Sequence, residues 1–114
     1  SRRYRKEILD AMEYINANMN RKVTLKEIAD SIGMNESSLS RMFKSETGVN
    51  LNYYINEKKM KKAMELLSSE SSMIKDVAAA IGMDDQLYFN KVFKKYYNVS
   101  PSEFKKKLHP DTEE

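Results

Sequence analysis

Leu25-x-x-Ile28-Ala29-x-x-Ile32-Gly33-Met34 returns 49 positions later as Ile74-x-x-Val77-Ala78-x-x-Ile81-Gly82-Met83. Further on, Leu39-Ser40-Arg41-Met42-Phe43-Lys44 lies against Phe89-Asn90-Lys91-Val92-Phe93-Lys94 at an offset of 50, and Gly48-Val49-Asn50 against Asn98-Val99-Ser100 at the same offset. The chain is a duplication with a period of about 50 residues, one residue having been added between the two helices of the second copy. Each copy reads as a helix-turn-helix. An alanine (Ala29 or Ala78) sits where two helices cross closely, a glycine four residues on makes the turn, and an apolar residue of the next helix closes the small core. Asn98 stands in for Gly48 at the end of that next helix, and asparagine is the next best residue for a left-handed backbone.

Around this repeat the rest of the chain reads as helix. There are only 3 Gly and 2 Pro, and no stretch alternates as a strand would. Seven helices are expected, in an all-α fold. The first covers about residues 3–19, with Ile8, Met12, Ile15 and Met19 on one stripe. The second opens at Thr24 with Glu27 three residues on, a capping box, and the third after Asn35. A long helix at Leu51–Leu67 joins the copies, followed by helices at about 74–81 and 85–97, and a short one opened by Ser100-Pro101. The expected division is a first helix-turn-helix subdomain at about 5–50, the linker helix at 51–67, a second subdomain at 68–107, and a frayed acidic tail at 108–114.

Composition excludes several functions. In 114 residues there is no Cys and a single histidine, His109, to which no role is assigned. Disulfides, thiolate metal sites and Ser-His or Cys-His catalysis are thereby set aside, and neither enzyme activity, cofactor nor metal is expected. No apolar run approaches the roughly 20 residues of a membrane span, and the N-terminus lacks the apolar region of a signal peptide. A cytoplasmic location without membrane contact is the expectation. The formal charge is +3, but residues 1–110 keep all 20 bases and 14 of the acids, a net +6. A modestly basic small domain is compatible with nucleic acid without establishing it.

The second helix of each helix-turn-helix is the one that enters a major groove and meets base edges with its N-terminal half. In the first copy the candidate base contacts are Ser37, Ser38, Ser40 and Arg41, with Arg41 placed to read a guanine through two hydrogen bonds. In the second copy they are Gln86, Leu87, Asn90 and Lys91. Gln86 and Asn90 suit adenine N6/N7, Lys91 matches Arg41 in the repeat, and Leu87 can only pack against a thymine methyl. Glu36 and Asp85 read as helix N-terminal charges. Phosphate contacts are expected from Thr24, Lys26, Lys44, Ser72, Lys75, Lys94 and Lys95. The run Lys58, Lys59, Lys61, Lys62, diluted by Glu57 and Glu65, reads as a solvated face, and the methionines at helical spacing as core. A linker of about 17 residues is about 26 Å long, against about 34 Å between successive major-groove faces, so if it holds the recognition helices that close, inserting both requires bent DNA.

These stretches, with Tyr54-Ile55-Asn56, Ala63-x-x-Leu66-Leu67, Tyr88-Phe89-x-Lys91-x-Phe93-Lys94-Lys95 and Val99-Ser100-Pro101-x-x-Phe104, resemble the DNA-binding domain of the AraC/XylS family over about residues 5–107. Three positions depart from its usual pattern: Lys59, where arginine is common; Met83, where the second turn usually has Phe or Tyr; and Leu87, a place often polar. The resemblance implies a bacterial transcription regulator, usually an activator, that binds duplex DNA, contacts RNA polymerase, and has its sensory part elsewhere. It also implies that Ser37, Ser40 and Arg41 are among the positions facing bases. The pattern around Leu39–Gly48 is reminiscent of regulators that carry phosphoreceiver domains. The domain alone is expected to be a monomer, with dimerisation of a full-length protein left open. The alternative is a duplicated helical hairpin used for protein contacts, which should show exposed apolar surface where the DNA reading places Ser, Asn, Gln and Arg.

Overall fold

A computed structural model describes residues 3–110. It contains seven α-helices and, among the described residues, no strand: α1 (Lys6–Ala17), α2 (Leu25–Ile32), α3 (Glu36–Thr47), α4 (Leu51–Leu67), α5 (Ile74–Ala80), α6 (Gln86–Tyr97) and α7 (Pro101–Leu108). The chain divides into two compact units, Ser1–Asn56 and Glu57–Glu114, and the division falls inside α4.

The first unit packs α1, α2, α3 and the start of α4 around Ile8, Ala11, Ile15, Ile28, Ala29, Leu39, Phe43, Leu51 and Ile55. Ile8, Ala11 and Ile15 are the inward stripe of α1, with Met12 half-buried beside them. Met19, expected to extend that stripe, falls beyond the helix end and is half-buried in the following turn. Phe43 of α3 meets Tyr54 of α4 edge to face, ring centroids 5.2 Å apart.

Glu27 organises the entry to α2. It forms the expected capping box, its backbone N–H donating to Thr24 Oγ1 (3.2 Å) while its carboxylate accepts from Thr24 N (2.9 Å). The same carboxylate accepts from Arg21 Nη2 at 2.6 Å and from the Tyr14 hydroxyl at 2.8 Å, tying α1, the connecting turn and α2 together. Arg21 first, then the Thr24 amide and the Tyr14 hydroxyl, hold the Glu27 carboxyl down from 4.5 to about 2. A carboxylate with a depressed folded-state pKa contributes stability that is complete above its unfolded value and is lost as pH falls through the folded one. The window is therefore from about pH 4.5 down to about pH 2. Thermal melting of Glu27→Gln should show lower stability than the parent at pH 7 and a smaller further loss across that window. Parallel pH profiles for the two proteins would contradict this role.

The second unit packs the rest of α4 with α5, α6 and α7 around Met60, Ala63, Leu67, Val77, Ala78, Ile81, Met83, Phe89, Val92 and Phe93. Phe93 is fully buried, with the Phe89, Tyr97 and Phe104 rings at centroid distances of 5.9, 4.9 and 5.9 Å. The duplication extends to the hydrogen bonds. Met34 N donates to Ala29 O (3.0 Å) and Met83 N to Ala78 O (2.8 Å), the same turn closed at the same offset. Gly48 and Asn98 cap α3 and α6 at φ 83° and 65°, and Asn98 is the one non-glycine residue with positive φ among the described residues. Asparagine tolerates this left-handed geometry better than other L residues, so the substitution keeps the cap.

Two expectations need correction. The lysine run of α4 is not uniformly a solvated face: Lys61 and Lys62 are exposed, Lys58 is half-buried, and Lys59 is 4% exposed. The Lys59 ammonium donates to the carbonyl of Ile81 just past α5, where a cation complements the negative helix end. The segment expected to fray from residue 108 is ordered further than that. α7 runs through Leu108, and a His109 ring nitrogen lies 3.1 Å from Ser68 O. The remainder of that tail, residues 111–114, lies outside the described residues. α7 itself starts as expected, with Pro101 in its first turn and a Ser100–Glu103 capping box. Its Lys105 ammonium donates to Ser69 O (3.1 Å), Glu70 O (3.3 Å), Ser72 O (2.8 Å) and Ser72 Oγ (2.9 Å), gathering the loop that follows α4.

Candidate nucleic-acid interface

Local chemistry sets up each candidate recognition helix in the same way. Asn35 caps α3 by accepting from Ser38 N (2.8 Å). Asp85 caps α6 by accepting from Leu87 N (3.0 Å) and Tyr88 N (3.2 Å). Apolar residues at helical spacing then turn one face of each helix into its own core: Leu39 and Phe43 in α3, and Phe89, Val92 and Phe93 in α6. The opposite face is left to solvent.

On α3 that face carries Glu36, Ser37, Arg41, Lys44 and Ser45, all exposed, with Ser38 and Ser40 half-buried at its edge. Arg41 forms no ion pair among the described residues. Ser38, Arg41, Met42 and Ser45 line a shallow depression completed by Arg5 and Glu46. Arg5 reaches it through Glu46: its Nε is 2.9 Å from Glu46 Oε2 and its backbone N–H donates to Oε1 at 3.0 Å. Arg3 lines an adjoining hollow with Arg5, Ser45 and Glu46. The sequence reading missed these two arginines. Their signal was the basic opening Ser1-Arg2-Arg3-Tyr4-Arg5-Lys6, but nothing local shows that it lies beside α3.

On α6 the outer face carries Gln86, Leu87, Tyr88, Lys91, Lys94 and Lys95. Leu87 is 80% exposed, the largest exposure of any large apolar side chain described. Asn90 is only half-buried as a residue, yet its Oδ1 is buried and has no hydrogen-bond partner. Pairing with adenine uses both amide atoms, so Asn90 must turn outward to make it, regaining the roughly 1–3 kcal/mol that an unsatisfied buried acceptor costs.

The candidate phosphate contacts fall into two groups. Lys44, Lys75, Lys94 and Lys95 are exposed, and so is Lys26, which pairs with Asp30 one turn on at 3.0 Å. The two hydroxyls are engaged within the protein. Thr24 Oγ1 accepts from Glu27 N and donates to Glu27 Oε1, and Ser72 Oγ donates to Ser69 O while accepting from Lys105. Among the described residues no cluster of His, Asp or Glu could hold a metal ion, and no helix is long and apolar enough to cross a membrane.

Comparison with known proteins agrees with this architecture. A family model described as a helix-turn-helix domain matches residues 28–107, well over half the chain. The chain is 31% identical over 99 residues to the lactose operon transcription activator of Staphylococcus xylosus, covering 87% of this chain and 36% of that protein. Among solved structures it is similar to the C-terminal domain of AraT, a response regulator from Geobacillus stearothermophilus: TM-score 0.90 at 30% identity, covering 98% of this chain and 95% of that one. The fold is also that of the DNA-binding domain of AdpA, solved in complex with a target DNA, with TM-score 0.83 at 15% identity, covering 95% and 100% of the two chains. The chain spans between a quarter and just over a third of the length of curated relatives such as this activator and the xylose operon regulatory protein of Escherichia coli, which are regulators of transcription and not enzymes. On the family match, the duplicated helix-turn-helix and this likeness over nearly the whole length, the chain belongs to the AraC/XylS family of transcription regulators and forms its tandem DNA-binding domain.

Proposed function

We propose that this domain reads a specific duplex sequence by setting α3 and α6 into successive major-groove segments. Ser37, Ser38, Ser40 and Arg41 serve as base contacts of the first unit, and Gln86, Leu87, Asn90 and Lys91 as those of the second. The observation that carries this reading is the shared construction of the two helices: each is capped by its own side chain, anchored by one apolar face, and outwardly supplied with groups that recognise base edges and phosphates. Phosphates are held by Lys26, Lys44, Lys75, Lys94 and Lys95. Thr24 and Ser72 contribute only if their hydroxyls give up their internal partners. Arg3 and Arg5 extend the basic surface beside α3. The regulation is activation in the bacterial cytoplasm, with RNA polymerase as the second partner, a reading supported by the likeness to an operon activator.

Selection of binding sites from a randomised duplex library, at about 150 mM salt, tests it. The expected result is one split site with two blocks about 10 base pairs apart. Arg41→Ala should relax one block and Lys91→Ala the other, each weakening binding by about 1–3 kcal/mol, or about 5- to 150-fold. If no sequence is enriched and residual binding vanishes at modest salt, the positive charge is incidental and a helical protein-interaction module becomes the better reading.

A further inference from the structure

The two recognition helices match in caps, core residues and closing turn, yet differ sharply at one pair of positions. Where α3 presents Ser37 and Ser38, α6 presents Leu87 and Tyr88, 80% and 50% exposed. Leu87 lies in the first turn of α6, the part of a recognition helix that comes nearest to base edges. Asp85 satisfies the backbone N–H groups of both Leu87 and Tyr88, and its carboxylate disfavours a phosphate at that helix end. The first turn therefore meets its partner through side chains.

A leucine side chain has no donor or acceptor. Set against a cytosine amino group or a guanine carbonyl, it would strip water and return no hydrogen bond, a cost that rejects those edges. The feature of the major groove that it complements is apolar: the methyl group on C5 of a pyrimidine. Thymine carries that methyl, and 5-methylcytosine carries the same group at the same ring position.

Resting on the DNA-binding reading above, we infer that Leu87 reads a pyrimidine C5-methyl group, so that the block bound by α6 prefers thymine over uracil and 5-methylcytosine over cytosine at one position. Cytosine methylation of that block then strengthens binding, and the block bound by α3, read by serines and Arg41, shows no such preference.

The test uses the site selected from the library, with the α6 block identified as the one that Lys91→Ala relaxes. Each pyrimidine of that block, on both strands, is synthesised in turn as thymine or uracil, or as cytosine or 5-methylcytosine, and titrated with the parent domain and with Leu87→Ala. The parent should show one position where the methylated base binds about fourfold more tightly, the factor for burying one methyl-sized group. Thymine against uracil reports the preference at an A·T pair, and 5-methylcytosine against cytosine at a G·C pair. In Leu87→Ala the ratio should fall to about one while melting stays unchanged, because the side chain removed lies almost wholly in solvent. Ratios of one at every position in the parent overturn the proposal, as does a methyl preference that survives in Leu87→Ala. If the library enriches no site, the DNA-binding reading fails first and this proposal falls with it.

Discussion

Raising monovalent salt from about 50 mM to about 200 mM should weaken binding of this domain to its DNA site roughly 500-fold. The figure follows from five exposed lysines assigned to phosphates: Lys26, Lys44, Lys75, Lys94 and Lys95. Each neutralised phosphate releases condensed counterions and steepens the dependence of log affinity on log salt by about 0.9, giving a slope near −4.5. Replacing any of the five with glutamine should flatten the slope by about 0.9 and weaken all duplexes alike, because phosphates carry no sequence information. Lys105→Gln is the contrast. Its ammonium is enclosed by four oxygens of the Ser69–Ser72 loop, so its removal should leave the slope where it was. A measured slope near zero, or an equal change on losing Lys105, would refute the assignment of these lysines. A slope steeper than about −4.5 by one or two increments would bring in Arg3 and Arg5.

The largest expected loss of stability is that of Phe93→Ala, about 3–5 kcal/mol. Phe93 is fully buried and meets three other rings at tilted or edge-on angles, so truncation leaves a cavity lined by Phe89, Tyr97 and Phe104. Against a typical domain stability of about 5–15 kcal/mol, that loss removes a large share and makes opening of the second unit far more frequent. The first unit has its own core around Ile8, Ile15, Ile28, Leu39 and Phe43. Native-state hydrogen exchange should therefore show protection lowered in α5, α6, α7 and the later turns of α4, and retained in α1, α2 and α3. Loss of protection across both units together would show that the two cores do not stand independently.

How much was legible beforehand depended on the range over which each feature is determined. Thr24, Asn35 and Ser100 were readable as caps because a side chain bonding an amide three residues away is local chemistry. Asn98 was readable in the same way, from the few residues that tolerate a left-handed backbone. The inward faces of α3 and α6 follow from helical periodicity. Once those faces are buried, the outward residues Ser37, Arg41, Gln86, Leu87 and Lys91 are settled by subtraction.

The features that escaped the sequence join residues far apart along it. Lys59 looked like its solvated neighbours, and only the approach of Ile81, 22 residues on, makes it a buried donor to a helix end. Arg5 became part of the α3 surface through Glu46, 41 residues away. His109 and Lys105 hold Ser68 and the loop beyond it across more than 30 positions. The burial of Asn90 Oδ1 likewise depends on neighbours that helical periodicity does not name. By itself the sequence determined that this is a duplicated helix-turn-helix, that it contains seven helices, where the side-chain-capped ones begin, and which face of each recognition helix is exposed. The tertiary structure alone decided which charged side chains remain available to a ligand and which are spent inside. That outcome depends on which acceptor each charge meets in space, and periodicity and propensity carry no information about such meetings.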